Sequence, residues 1–260
     1  LAQVLGQIMS TIWLVAHFAR KTTIVHFQPG IWTLDMSNVR RILALGMAPF
    51  LMNFCACAVV VILNRSLLAY GGDMAVGAMT ILTSVMQFAL LPMQGIAQGA
   101  QPISSYNFGA GNAARVKKTF RLLLGICLSY SVLVGTAVLL FPKNFAGIFC
   151  ADPMLLDFTA KALRIYMAGM VIFGIQIACQ MTFVSIGNAL CSIIVAVVRK
   201  FVLLLPLIYL VPQFVGDKTM AVYLAEPIAD VIAVTFTAVL FFFQFKKALA
   251  EIAQPDNQTH

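Results

Sequence analysis

Two carboxylates interrupt an otherwise apolar stretch, YLAEPIADVIA, at residues 223–233. Glu226 and Asp230 are four residues apart, so a helix places them on one face. An ionisable group within a membrane is costly to bury and marks a functional candidate. The pair suits capture of a coupling proton or cation; equally, Arg or Lys partners could neutralise it. Pro227 lies between the two acids, removes a backbone donor and frees a carbonyl one turn back. A second set of residues is polar but neutral. Gln87, Gln94, Gln98, Gln101 and Ser105 step by 7, 4, 3 and 4, which draws one stripe down a helix. Unpaired amides facing lipid are unfavourable, so this stripe is expected to face protein or water. Pro92 and Pro102 are expected to bend the same helix, and Gly95 and Gly99 form a GxxxG spacing that permits close helix contact. Gln176 and Gln180 repeat the theme one turn apart, and Asn53 and Asn64 add amides on an earlier segment. Such amides suit a polar cavity wall, or plain interhelical hydrogen bonding.

Catalytic chemistry has no comparable signature. The sequence contains no HExxH and no P-loop, and no GxSxG. His17 and His26 are isolated in sequence. The six cysteines, Cys55, Cys57, Cys127, Cys150, Cys179 and Cys191, include no CxxC pair, and most read as small apolar side chains. No enzyme activity, catalytic residue or metal site is expected, and no cofactor beyond a coupling H+ or Na+.

These candidates must be held by a membrane-embedded helical framework. Hydrophobic residues make up 61% of the 260 and charged residues 10%, and mean hydropathy is +0.94. Soluble domains run at about 45–50% apolar and about 25% charged. A spanning helix needs about 20 mostly apolar residues. Seven segments qualify, near 1–19, 43–68, 76–104, 120–141, 162–186, 190–212 and 220–244. Between them lie the turn sequences YGGD, NFGAGN, FPKN, ADP and VGDK.

The net charge of +8 is spread over loop ends, which points to membrane topology and away from nucleic acid. Basic clusters at Arg20–Lys21, Arg40–Arg41, Arg115–Arg121 and Lys246–Lys247 alternate with loops poorer in Lys and Arg. The alternation places 20–41, 107–119, the turn at 187–190 and the C-terminus in the cytoplasm. Arg199 and Lys200 fall inside the sixth apolar run and are expected to snorkel to the headgroups. The tail 254–260 is polar and expected to be disordered.

Four collinear stretches carry a family resemblance. MQGIAQGAQPISSYNFGAGN (93–112), followed by ARVKKTFR, resembles the C-terminal-lobe signature of the multidrug and toxic compound extrusion (MATE) family. ILNRSLLAYGGDMAVGAM (62–79) resembles the opening of that lobe. VRKFVLLLPLIYLVP (198–212) and VYLAEPIADVIA (222–233) resemble its last two helices. The pattern is most similar to the branch of DinF-like and MepA-like exporters. The resemblance implies an all-α integral membrane fold of about seven transmembrane helices. Residues 1–19 would be the last helix of the N-terminal lobe, 20–41 the cytoplasmic inter-lobe linker, 42–247 the six-helix C-terminal lobe and 248–260 a cytoplasmic tail.

It further implies export of cationic or amphipathic small molecules in exchange for H+ or Na+, by alternating access, across a bacterial inner membrane. Its partners would be those substrates, the lipid bilayer and a missing N-terminal lobe. Substrate-cavity candidates are Asn53, Gln94, Gln98, Gln101, Gln176 and Gln180. Ion-coupling candidates are Glu226 and Asp230, and helix-bend candidates Pro92, Pro102 and Pro227. The acids of helices seven and ten that mark the NorM-like sodium branch have no counterpart in LGMAPFLMNFCACAVVV or RIYMAGMVIFGIQIACQ, so sodium coordination of that kind is not expected. Two other readings remain: a non-transporting truncated or split fragment, and a related exporter of lipid-linked saccharides.

Overall fold

The computed structural model describes residues 2–18 and 36–253, and among them no strand occurs. Residues 1–47 and 48–260 form two compact units. In the first, α1 (Ala2–Phe18) is an apolar helix whose Trp13 and His17 rings stack at 5.6 Å. The linker expected at 20–41, with His26, lies largely outside the described residues, as does the polar tail at 254–260.

The remaining elements are α2 (Met36–Gly109), α3 (Ala113–Leu140), α4 (Pro142–Gly147), α5 (Pro153–Tyr166), α6 (Met170–Ser185), α7 (Ala189–Val197), α8 (Leu205–Phe214) and α9 (Lys218–Ala253). A 3-10 turn, Met167–Gly169, joins α5 to α6, and a π-helical turn, Val198–Leu204, joins α7 to α8. Among the described residues, five stretches are long and apolar enough to cross a membrane: Asn53–Gly109, Ala113–Leu140, Pro153–Ser185, Leu190–Phe214 and Lys218–Ala250. The first is two helices in one, because Gly72 breaks it with φ 64° and ψ −160°. That left-handed geometry favours glycine strongly, and it falls within the YGGD sequence expected to turn. With the shorter Val4–Phe18, the expected pattern of seven apolar segments is recovered.

The turn sequences act through their polar side chains. Asn112, Asp152, Asn188 and Asp217 each accept hydrogen bonds from backbone N–H groups in the first turn of the following helix. Those donors have no partner inside the helix, so each cap removes an unfavourable term of about 1 kcal/mol. The last helix continues to Ala253, nine residues past the apolar run at 220–244. Its added turns carry Leu249 into the core.

Close packing is set by small residues. Ser131 Oγ on α3 donates to the Met170 carbonyl and accepts from Gly174 N–H at 3.1 Å. A Cβ on Gly174 would collide with the Cys127 carbonyl, and one on Gly135 would lie 3.1 Å from Val171 N. The backbones of α3 and α6 therefore meet almost directly. The GxxxG of α2 behaves otherwise: a Cβ on Gly95 or Gly99 meets nothing within 4 Å. The contact that this spacing permits is not made to any described part of this chain.

Candidate functional site

The two acids of α9 lie in the interior. Glu226 is 2% exposed and Asp230 1%. Arg199 and Lys200, on the π-helical turn, reach them. Arg199 Nε donates to Asp230 Oδ1 at 2.6 Å, and a terminal guanidinium nitrogen donates to Glu226 Oε1 at 3.3 Å. Lys200 Nζ donates to the same Glu226 oxygen at 3.0 Å. Two positive and two negative groups thus form a neutral cluster.

This corrects the expectation that Arg199 and Lys200 snorkel. Arg199 lies nine residues into Leu190–Phe214, about 14 Å along a helix axis from its start. Pairing across the helices satisfies the charge there. Arg199 also lies over the Phe173 ring, 4.5 Å from its centroid, an attraction that strengthens when the cation is desolvated.

Local structure explains how two consecutive cations reach one acid-bearing helix. A π turn bonds i to i+5 and is wider than an α turn, and such turns recur at functional sites. On the acid side, a Cβ at Gly169 would come 2.9 Å from Asp230 Cβ, so the 3-10 turn packs directly over Asp230. Glu226 and Lys200 open on a cavity of about 280 Å³, with Asn64, Thr80, Thr83 and Tyr166 among its polar lining. Asp230 and Arg199 do not line it.

The amide candidates separate into two groups. Gln87, Gln94, Gln98 and Asn53 are exposed, Gln101 and Gln180 half-buried, and Gln176 fully buried. Gln176 Oε1 has no hydrogen-bond partner. None of these lines the cavity beside Glu226; the amide found there is Asn64. Ser105 ends the stripe by donating to the Ser185 carbonyl at 2.8 Å, tying α2 to α6. The sole non-helical backbone in α2 is at Gly72, so Pro92 and Pro102 sit in helical geometry. Pro227 is likewise inside α9. Tyr166, Gly169, Phe173 and the α3–α6 contact were not marked by any sequence motif. The pairing of Arg199 and Lys200 did have a signal, in two cations deep in one apolar run and two acids in the next.

Comparison with known proteins fixes the family. A family model, MatE, matches residues 42–210, more than half of the chain. The chain belongs to the MatE family. It is 20% identical over 216 residues to multidrug export protein MepA of Staphylococcus aureus, covering 83% of this chain and 47% of that protein. Its identity to MepA of Staphylococcus haemolyticus is 22% over 217 residues, with the same coverage. The chain thus spans about half the length of the curated relatives it matches.

Solved structures agree on the fold. A MATE crystal structure in the bent conformation superposes with TM-score 0.84 at 17% identity, covering 97% of this chain and 56% of that one. An inward-facing multidrug resistance MATE transporter gives 0.79 at 16%, covering 98% and 58%. A MOP superfamily transporter from Pyrococcus furiosus, whose reversed pocket polarity suggests a different function, gives 0.83 at 16%, covering 95% and 56%. One fold therefore accommodates pockets of different polarity, and function must be argued from the site.

Proposed function

We propose that this chain is the C-terminal lobe of a secondary antiporter that exports cationic or amphipathic small molecules from bacterial cells. It acts with an N-terminal lobe, in exchange for H+ or Na+, and its C-terminus is cytoplasmic. The observation that carries this reading is the open face of α2. Gln94 and Gln98 are exposed, and Gly95 and Gly99 are uncovered by any described helix of this chain. A row of amides and glycines on an apolar helix suits a surface that meets water and a second protein body, not lipid. Neutral amides solvate a cation without trapping it as a carboxylate row would.

Within this reading Glu226 is the ion-responsive carboxylate and Asp230 the anchor. Glu226 faces the cavity and shares one oxygen between Arg199 and Lys200, whereas Asp230 is held by Arg199 alone, at 2.6 Å. A proton or cation arriving on Glu226 displaces Lys200, the most exposed member of the cluster, and leaves the anchor intact.

Efflux of a fluorescent cation from drug-sensitised cells tests both statements. The chain co-expressed with an N-terminal MATE lobe should export the dye, and the chain alone should not. Failure with every lobe supplied, despite correct insertion, overturns the transport reading. In the functional pair, Glu226→Gln should weaken dependence on the imposed ion gradient by about tenfold, the usual scale of one coupling interaction. An unchanged gradient response removes Glu226 from coupling.

A further inference from the structure

A second cavity lies apart from the charge cluster and the glutamine stripe. It holds about 740 Å³ between α3, α6 and α9, within the range of small-ligand pockets, about 300–1,000 Å³. Its wall is aromatic and fixed. The Phe120 and Phe241 rings stack at 4.4 Å, Phe241 and Phe245 at 4.7 Å, and Phe183 meets Phe241 edge-on at 5.1 Å. Leu124 and Ile175 continue the apolar lining.

Two cations stand at one end. Lys117 is in the second turn of α3 and Lys246 near the close of α9, and both line the cavity. These helix ends are neighbours: a Cβ at Gly111, just before α3, would sit 3.6 Å from the Ile252 carbonyl. Neither lysine forms an ion pair with a described carboxylate. In sequence, residues 115–121 and 246–253 carry Arg115, Lys117, Lys118, Arg121, Lys246 and Lys247 against one acid, Glu251, with Asp256 following in the tail. The surrounding surface is apolar, with Leu122, Ile126, Val239, Phe242 and Phe243 exposed. The cavity is therefore flanked by exposed apolar side chains, with the two ammonium groups at one end.

We propose that this cavity is a binding site for an acidic glycerophospholipid of the leaflet on the lysine side. The acyl chain lies along Phe120, Phe241 and Phe245, and the phosphate sits between Lys117 and Lys246. Charge complementarity selects the acidic lipid: two unpaired ammonium groups at the rim attract a net negative headgroup and gain little from a zwitterion. The aromatic wall supplies affinity without discriminating between headgroups.

The test is native mass spectrometry of the full chain, delipidated and then offered phosphatidylglycerol or phosphatidylcholine with identical chains. The wild-type protein should retain one phosphatidylglycerol in preference by roughly tenfold. Lys117→Gln with Lys246→Gln should abolish the preference while phosphatidylcholine retention stays. Lys118→Gln with Lys247→Gln removes the same charge from residues outside the cavity and should leave the preference intact. Ala238→Trp, which fills the lining, should reduce retention of both lipids. A thermal melt on each variant identifies any that fail to fold. The proposal is overturned if the two lysine pairs behave alike, which means diffuse attraction to a basic surface. It is also overturned if the wild type retains both lipids equally, which means an unselective apolar groove.

Discussion

The glutamine stripe of α2 and the charge cluster between the π turn and α9 are both polar insertions in apolar helices, yet their fates are opposite. The stripe is neutral and largely exposed, with Gln94 and Gln98 open along one face. The cluster is charged, its two carboxylates are buried, and every member is paired. The difference follows from the cost of each group. An amide at a wet or protein-covered face loses little, whereas an isolated ion in an apolar interior is so unfavourable that it must be paired or neutralised. The same contrast runs through the glycines. Those of α3 and α6 bring backbones together, and those of α2 at 95 and 99 touch no described part of this chain.

The largest effect separating these regions is expected at Arg199. Arg199→Met leaves Glu226 with Lys200 alone and Asp230 with no cation, and breaking a buried pair costs about 3–5 kcal/mol. The buried thiols Cys127 and Cys179 make thiol-reactive dye fluorescence on heating the natural readout. The double variant Arg199→Met, Asp230→Leu should recover part of the loss, because Glu226 keeps Lys200 and no uncompensated charge remains. A double variant no more stable than the single one would show that the cluster's value lies in packing and not in charge.

A smaller effect sharpens the glycine half of the comparison. Gly174→Ala forces a methyl against the Cys127 carbonyl and should cost about 1–3 kcal/mol. Gly95→Ala meets open space and should be neutral or stabilising by up to about 1 kcal/mol. Equal melting losses at both sites would mean that the face bearing Gly95 is packed against something in the isolated chain.

The smallest stability effect is expected for the stripe. Gln94→Leu, Gln98→Leu and Gln101→Leu together should shift stability by no more than about 0.5 kcal/mol per site, since no core contact is lost. In the co-expressed transporter the same variant should lower cation efflux. Unchanged efflux across several cationic substrates would remove the stripe from the transport pathway and leave it as a packing surface.

Much of the framework was legible before any coordinates. Apolar runs of spanning length were separated by Gly, Asn and Asp, and Asn112, Asp152, Asn188 and Asp217 became the helix caps that such residues form. Local chemistry decides these features, because a cap or a positive-φ glycine acts within a few residues of itself. The acids were legible as outliers for the same reason, since a carboxylate in an apolar run is conspicuous by itself.

What satisfies those acids was settled only in three dimensions. Glu226 and Asp230 meet Arg199 because a π turn points Arg199 and Lys200 across to α9, 26 to 31 positions away along the chain. Two cations inside an apolar run suggested snorkelling; the acids facing them from α9 offer pairing instead. The role of glycine divided likewise. A GxxxG spacing states that a close approach is possible, but the partner backbone must be present to use it, and in this chain the close approach lies at Gly135 and Gly174. The sequence by itself determined which segments are helices, where they turn and that ionisable groups are held within them. The tertiary structure alone decided which ions pair and which polar face stays open, because burial and pairing belong to the packed arrangement and not to any residue in isolation.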